Sequence, residues 1–196
     1  RYDPFKDPVG ATMAFAKAYL ELVHEGVPEA SLPQFVHAGS VNAQDPRGLE
    51  ELVKVFLYLD RLAEEHKEEL LEFPEPEREA LCRRLRRDVF ILLLPGRDAF
   101  ANALEVNALQ RAARAVMLKS LKEGFGLALT EAMWKGKPVI GGNTGGIRLQ
   151  IDDGINGFLA GQEVDGVVRD SVEDAARYIA TYAKHPDVAE RMGDMG

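Results

Sequence analysis

Apolar positions recur at helical spacing from about Val9 to Val23, and the next stretch, SLPQFVHAGS, sets a short apolar run between two groups of turn residues. The first pattern predicts a helix and the second a strand, because side chains share a face every three to four residues in one and alternate in the other. A second helical pattern runs from about Pro46 to Glu65 and a charged one from about Glu75 to Arg87, with PEP at 74–76 between them. Proline removes a backbone donor and crowds the preceding turn, so PEP marks a break. DVFILLLP reads as a fully buried strand. A helix over EVNALQRAA, a short strand at ARAVMLKS, a helix over LALTEAMWK closed by Gly136 and a strand at KPVIGG continue the alternation. Strands that are apolar on consecutive residues are covered on both faces, which predicts an α/β fold with a doubly wound parallel sheet. The PEP stretch reads as an inserted surface helix pair, and the length predicts one domain.

In such a sheet ligands bind beyond the carboxyl ends of the strands, so chemistry is sought in the loops that follow them. Four stand out: RYDPFKD at the start, PGRDAF after DVFILLL, KSLKEGFG before the helix at Leu127, and GGNTGG after PVI. Within EGFGLALTE, Gly124 and Gly126 clear the backbone where it turns into a helix, and the amides of a first helical turn attract an anion such as phosphate. Glu131 is carried roughly 7 Å along that helix at about 1.5 Å per residue, a position suited to the vicinal hydroxyls of a ribose. Glu123 stays on the loop and points to the other side of the phosphate. The competing reading is structural, with Glu131 favoured by the helix dipole and the glycines serving a turn. A leaving diphosphate needs positive charge, and Arg1 and Lys6, five residues apart around a Pro-stiffened loop, are the candidates. An exposed surface pair is the alternative.

Composition narrows the classes. A formal net charge of −8 disfavours a nucleic-acid partner, whose affinity is drawn from clustered Lys and Arg. No apolar run approaches the roughly 20 residues that cross a bilayer, and RYDPFKDPVG lacks an apolar signal core, so no membrane partner and a cytoplasmic location are expected. Cys82 is the only cysteine, which excludes an internal disulfide and predicts a buried small apolar group. His24, His37, His66 and His185 are scattered without metal-ligand spacing, so each reads as surface or satisfied core. A G-x-S-x-G elbow, a P-loop and a G-x-G-x-x-G are all missing from the sequence, which leaves hydrolase, NTPase and dinucleotide readings without their main support.

The combination of RYDPFK, EGFGLALTEAMWKGKPVIG, a Gly-rich loop and DGINGFL resembles the carboxy-terminal, donor-binding half of a GT-B fold glycosyltransferase of family 4, the retaining group with an E-x7-E motif. The likeness covers nearly the whole chain. Within that family, EVNALQRAARAVMLKSLKEGFGL and AMWKGKPVIGGNTGGIRLQI resemble the trehalose synthase and trehalose phosphorylase branch. Where many members have Pro-Glu after the third loop, this chain has Arg148 and Leu149 followed by Gln150, as that branch does; Arg114 departs from the Asp often found there. The resemblance implies a Rossmann-like domain in which Arg1 and Lys6 hold the donor diphosphate and Glu123 lies near the donor sugar. It implies that Gly124, Phe125 and Gly126 face sugar and phosphate, Glu131 binds the ribose, Leu127 walls the nucleotide, Ser120 borders the site and Leu94 lies at the base pocket. The implied substrates are NDP-glucose with glucose or phosphate, without a metal or other cofactor. The expected partners are an amino-terminal acceptor domain, absent here together with the first strand, and a second copy in a homodimer. Such a piece is expected to bind donor for transfer of glucose to glucose without turning it over; a trehalose phosphorylase, another family 4 glycosyltransferase and a non-catalytic regulatory module of the same fold are the alternatives.

Overall fold

The computed structural model describes residues 2–41, 46–96, 98–164, 167–169 and 171–196. A 3-10 turn at Pro4–Lys6 leads into α1 (Pro8–His24), which starts on a proline and is capped by the Asp7 carboxylate, an acceptor for the Gly10 N–H at 3.0 Å. There follow β1 (Phe35–Gly39), α2 (Pro46–Asp60), the short helices α3 (Leu62–Glu65) and α4 (Lys67–Leu70), α5 (Glu75–Arg87) and β2 (Val89–Leu93). The second part comprises α6 (Ala99–Ala112), β3 (Val116–Leu118), α7 (Leu127–Met133), β4 (Val139–Gly142), β5 (Gly157–Ala160), β6 (Gln162–Val164), β7 (Val167–Arg169), α8 (Val172–Lys184) and α9 (Pro186–Met195). No helix among the described residues is long and apolar enough to cross a membrane.

The alternation of parallel strands and helices is as expected, and the fold is α/β. The sheet, however, is divided. Strands β1 and β2 pair in parallel from Phe35↔Val89 to Gly39↔Leu93, while β3, β4 and β5 form a second parallel sheet in that order, and β6 and β7 make an antiparallel hairpin. Residues 2–5 link the carboxyl ends of the two parallel sheets: the Tyr2 N–H donates to the Ser40 carbonyl at 3.0 Å and the Leu121 N–H to the Phe5 carbonyl at 2.8 Å. Gly39 permits this approach, since a Cβ there would sit 3.1 Å from the Tyr2 ring.

Two expectations need correction. DVFILLLP is not buried on both faces: Val89 and Ile91 pack on the core, whereas Phe90, Leu92 and Leu93 are exposed. The pair β1–β2 is covered on the side of α1, α2 and α5, and α6 leaves its own Phe100 and Leu104 in solvent instead of covering the other. The helix expected from Pro46 to Glu65 breaks at Arg61, whose backbone (φ −99°, ψ 13°) leaves the helical region. The bends there and at His66 turn Leu62 and Leu70 into the core that Leu81 and Leu85 of α5 complete. Cys82 is buried in the same cluster, and His66 is buried with its Nε2 2.5 Å from the Tyr58 hydroxyl. Helices α8 and α9 and strands β5 to β7 escaped the periodicity reading. The signal for α8 was present: Ser171 caps it by accepting the Asp174 N–H at 2.9 Å, and Ala175, Ala176 and Ala180 recur on one buried face.

Two clusters meet on α1. Phe15 and Tyr19 face Val55, Leu62, Leu81 and Leu85, while Ala14, Ala18 and Leu22 face Ala160, Ala175, Ala176 and Ala180. Small residues on both helices let α1 and α8 approach closely, and burial on two sides explains why α1 is apolar most of the way round.

His37 on β1 has its Nε2 2.8 Å from the Thr12 hydroxyl and its ring edge-on to Phe35, and burial lowers its pKa from 6.5 to about 4. The charged form is penalised only in the folded protein, so the unfolded chain binds the extra proton between those values. Stability is fully present above about pH 6.5 and falls as pH drops toward 4. Thermal midpoints followed from pH 6.5 to 5 should decline less in His37→Gln than in the parent chain; parallel declines would reject His37 as the source.

Candidate active site

Strand β3 ends at Leu118, and the five residues that follow build the centre of the site. Lys119 and Ser120 are buried, Leu121 and Lys122 are exposed, and Glu123 turns back with its side chain 15% exposed. The Glu123 carboxylate receives three groups: the Lys6 ammonium, the Ser120 hydroxyl at 3.3 Å and the Gly124 N–H at 3.1 Å. Lys6 ends the turn Pro4–Lys6, which Asp3 caps by accepting the Phe5 N–H at 2.9 Å. Lys122 reaches over the Phe5 ring, 5.6 Å from its centroid.

The loop after β4 closes on this one backbone to backbone. The Gly146 N–H donates to the Gly124 carbonyl at 3.0 Å. A Cβ at Gly142 would lie 2.3 Å from the Ser120 carbonyl oxygen, and one at Gly145 only 1.7 Å from that of Glu123. Gly145 and Gly126 also have positive φ, +49° and +93°, where residues with side chains are strained. Gly124 differs: nothing lies within 4 Å of the Cβ it lacks, so the protein itself supplies no steric reason for glycine there. Gln150 joins the pieces. Its amide nitrogen donates to the carbonyls of Phe125 and, at 3.1 Å, Gly146, and its oxygen accepts from the Thr130 hydroxyl on α7.

Of the residues singled out in the sequence, Lys6, Ser120, Glu123 and Gly124 are brought into one hydrogen-bonded set. Gly126 starts α7 in the left-handed conformation, and Phe125 and Leu127 flank it with exposed side chains. Glu131 is exposed on α7, 3.4 Å from Gln110 Nε2; Gln110 in turn accepts from the Lys135 ammonium at 2.8 Å. Leu94 lies at the carboxyl end of the other sheet, its N–H on the Gly39 carbonyl at 2.9 Å. Arg1 is outside the described residues. Sequence reasoning gave no role to Asp7, Gln110, Lys119 or Gln150. The unusual LQ after GGNTGGIR was the visible signal for Gln150, and nothing local marks Lys119. Among the described residues no group of three His, Cys, Asp or Glu side chains is arranged to hold a metal ion.

The glycine loops, α7 and everything after them fall within residues 99–196, which match the family model for glycosyl transferases group 1. The chain belongs to this glycosyltransferase family. It is 51% identical over 92 residues to a trehalose synthase of Pyrococcus horikoshii, a match covering 47% of this chain and 20% of that protein. Across 193 residues it is 34% identical to a trehalose synthase of Thermococcus litoralis, covering 98% of this chain and 36% of the relative. A trehalose phosphorylase of Pleurotus pulmonarius is 33% identical over 114 residues, 56% of this chain and 15% of that protein. The chain thus spans about a third or less of the curated relatives it matches. Among solved glycosyltransferases, Anabaena HepE in complex with UDP and glucose superposes on all of this chain with a TM-score of 0.67 at 19% identity, over 40% of its own length. That likeness places the fold in the GT-B class.

The two glycine environments predict opposite outcomes in denaturant titrations. Gly145→Ala must force the loop off Glu123 and should cost at least about 2 kcal/mol, from strain and overpacking together. Gly124→Ala should stay within about 0.5 kcal/mol of the parent.

Proposed function

We propose that this glycosyltransferase chain binds the donor of a retaining transfer of glucose from NDP-glucose to the anomeric hydroxyl of a second glucose, giving α,α-trehalose. The observation that carries the reading is the meeting of Lys6 and Glu123, 117 residues apart, at the end of β3 between two glycine loops. The relatives named trehalose synthase support the choice of reaction, and UDP and glucose in the HepE complex support the class of donor.

In this reading the donor diphosphate takes the Lys6 ammonium from Glu123. The bond from the donor anomeric carbon to the phosphate oxygen breaks, and the acceptor oxygen bonds to the same face of that carbon. The acceptor proton passes to the departing phosphate oxygen. Lys6, with Arg1 as the expected second cation, stabilises the charge growing on the leaving group, and this route uses no metal. Glu123, kept in place by Ser120 and the Gly124 amide, is left to accept hydrogen bonds from the donor sugar. The open side of Gly124 admits the ligand against bare backbone, Phe125 and Leu127 wall it, and Glu131 accepts from the ribose hydroxyls. Leu94 is assigned to the base. The acceptor would be presented by sequence beyond these residues, as the greater length of the relatives suggests.

Thermal unfolding with UDP, ADP, GDP or inorganic phosphate tests the reading. A ligand at about 100 times its dissociation constant adds about 2.7 kcal/mol to the folded state, so a nucleotide should raise the midpoint and identify its base. Failure of every ligand to do so would reject it. A response to phosphate alone would favour a phosphorylase, the reading supported by the Pleurotus relative. Glu131→Ala should weaken nucleotide binding by about 1.5–3 kcal/mol, the range for hydrogen bonds to a charged group. Gly124→Ala should weaken it with stability unchanged. In an enzyme that carries this domain and an acceptor site, Lys6→Ala should lower turnover by roughly a hundredfold or more; near-normal turnover would remove Lys6 from the mechanism.

A further inference from the structure

The segment that carries Lys6 is held by a device that the reaction itself does not call for. Lys119, the first residue after β3, has a side chain with no exposed surface, and its ammonium pairs with the Asp7 carboxylate. Asp7 is the only described non-glycine residue with positive φ (φ 46°, ψ 58°), a conformation more usual for glycine or asparagine. Its carboxylate has two attachments, the Gly10 N–H at 3.0 Å and Lys119, and it packs so tightly on the start of α1 that a Cβ at Gly10 would lie 2.0 Å from it. Alternate residues of the loop after β3 therefore grip consecutive residues of the amino-terminal turn. Lys119 pairs with Asp7, the Leu121 N–H donates to the Phe5 carbonyl, and Glu123 pairs with Lys6.

Only the last of these links has to open when an anion takes Lys6. The Lys6 and Glu123 side chains are 34% and 15% exposed, so water can screen and replace that pair, whereas an ammonium buried like that of Lys119 cannot lose its partner cheaply. We propose that Lys119, through Asp7, is a positioning residue that keeps the Lys6 backbone in place while the Lys6 ammonium exchanges Glu123 for the phosphate of the donor. The inference rests on the donor-binding reading above.

The test combines Lys119→Met with Asp7→Asn, which removes both charges at once and leaves neither stranded. Asparagine tolerates the left-handed backbone and can still accept the Gly10 N–H. Affinity for UDP is measured well below the unfolding midpoint in this variant, in Lys6→Ala and in the combination of all three changes, alongside amide exchange at Leu121. Positioning predicts at least tenfold weaker UDP binding in the paired variant, no further loss beyond threefold when its changes are added to Lys6→Ala, and at least tenfold faster exchange at Leu121 with exchange at Leu20 unchanged. A merely structural pair would lower the unfolding midpoint and leave UDP affinity as in the parent, or multiply with Lys6→Ala, and either result overturns the inference. If the parent chain binds neither UDP, ADP, GDP nor phosphate, the donor reading falls. Exchange at Leu121 then decides alone whether Lys119 holds the segment, and parent-like exchange overturns that too.

Discussion

Helix α1 must satisfy two cores at once, and the rest of the molecule is arranged around that constraint. One side presents Phe15 and Tyr19 to the cluster built by α2, α3 and α5; the other presents Ala14, Ala18 and Leu22 to α8 and β5. The two parallel sheets do not pair with each other, so α1 with its flanking clusters, helped by residues 2–5 at the strand ends, is what relates them. A helix packed on both sides has little freedom to slide or rotate, because side chains in close-packed interiors have few alternative arrangements. Its amino end, Asp7, is therefore a fixed point, and Lys6 is the residue just before it.

That fixed point explains how a cation on a short 3-10 turn can serve a site assembled mainly from the second part of the chain. The turn is tied at both flanks, by Asp3 accepting the Phe5 amide and by Asp7 meeting Lys119, before Lys6 makes any contact of its own. Opposite it, the loops after β3 and β4 interlock through glycines whose missing side chains are replaced by the neighbouring backbone. Rigid backbone on both sides of a partly exposed ion pair makes a site that can trade one anion for another without reorganising, which is the property a charge-stabilising site requires.

The two lysine–carboxylate pairs of the site differ in a way that matters for chemistry. Lys6–Glu123 is partly open to water, so it is available for exchange; Lys119–Asp7 is removed from water on the lysine side and holds its geometry because separating it would strand a charge. Gln150 plays a neutral version of the second role. An amide can donate to two carbonyls and accept from a hydroxyl at once, which a carboxylate at that position could not do.

Local patterns in the sequence determined most elements, the α/β class and the residues of the β3 loop, because helix and strand periodicities, caps and glycine turns act over a few residues. The glycines and the helical pattern of EGFGLALTE placed Glu123 on a loop and Glu131 on a helix, which is where they lie. Tertiary structure decided the rest. The exposure of Phe90, Leu92 and Leu93 depends on which helix covers β2, and a run of apolar residues carries no record of that. The break at Arg61 follows from the core that Leu62 and Leu70 must enter. Lys6 meets Glu123 across 117 residues and Lys119 meets Asp7 across 112, contacts that exist only after α1 has been packed against both halves of the fold. Burial then turns an ordinary lysine into a fixed structural charge, a difference in solvation that the residue type alone does not contain.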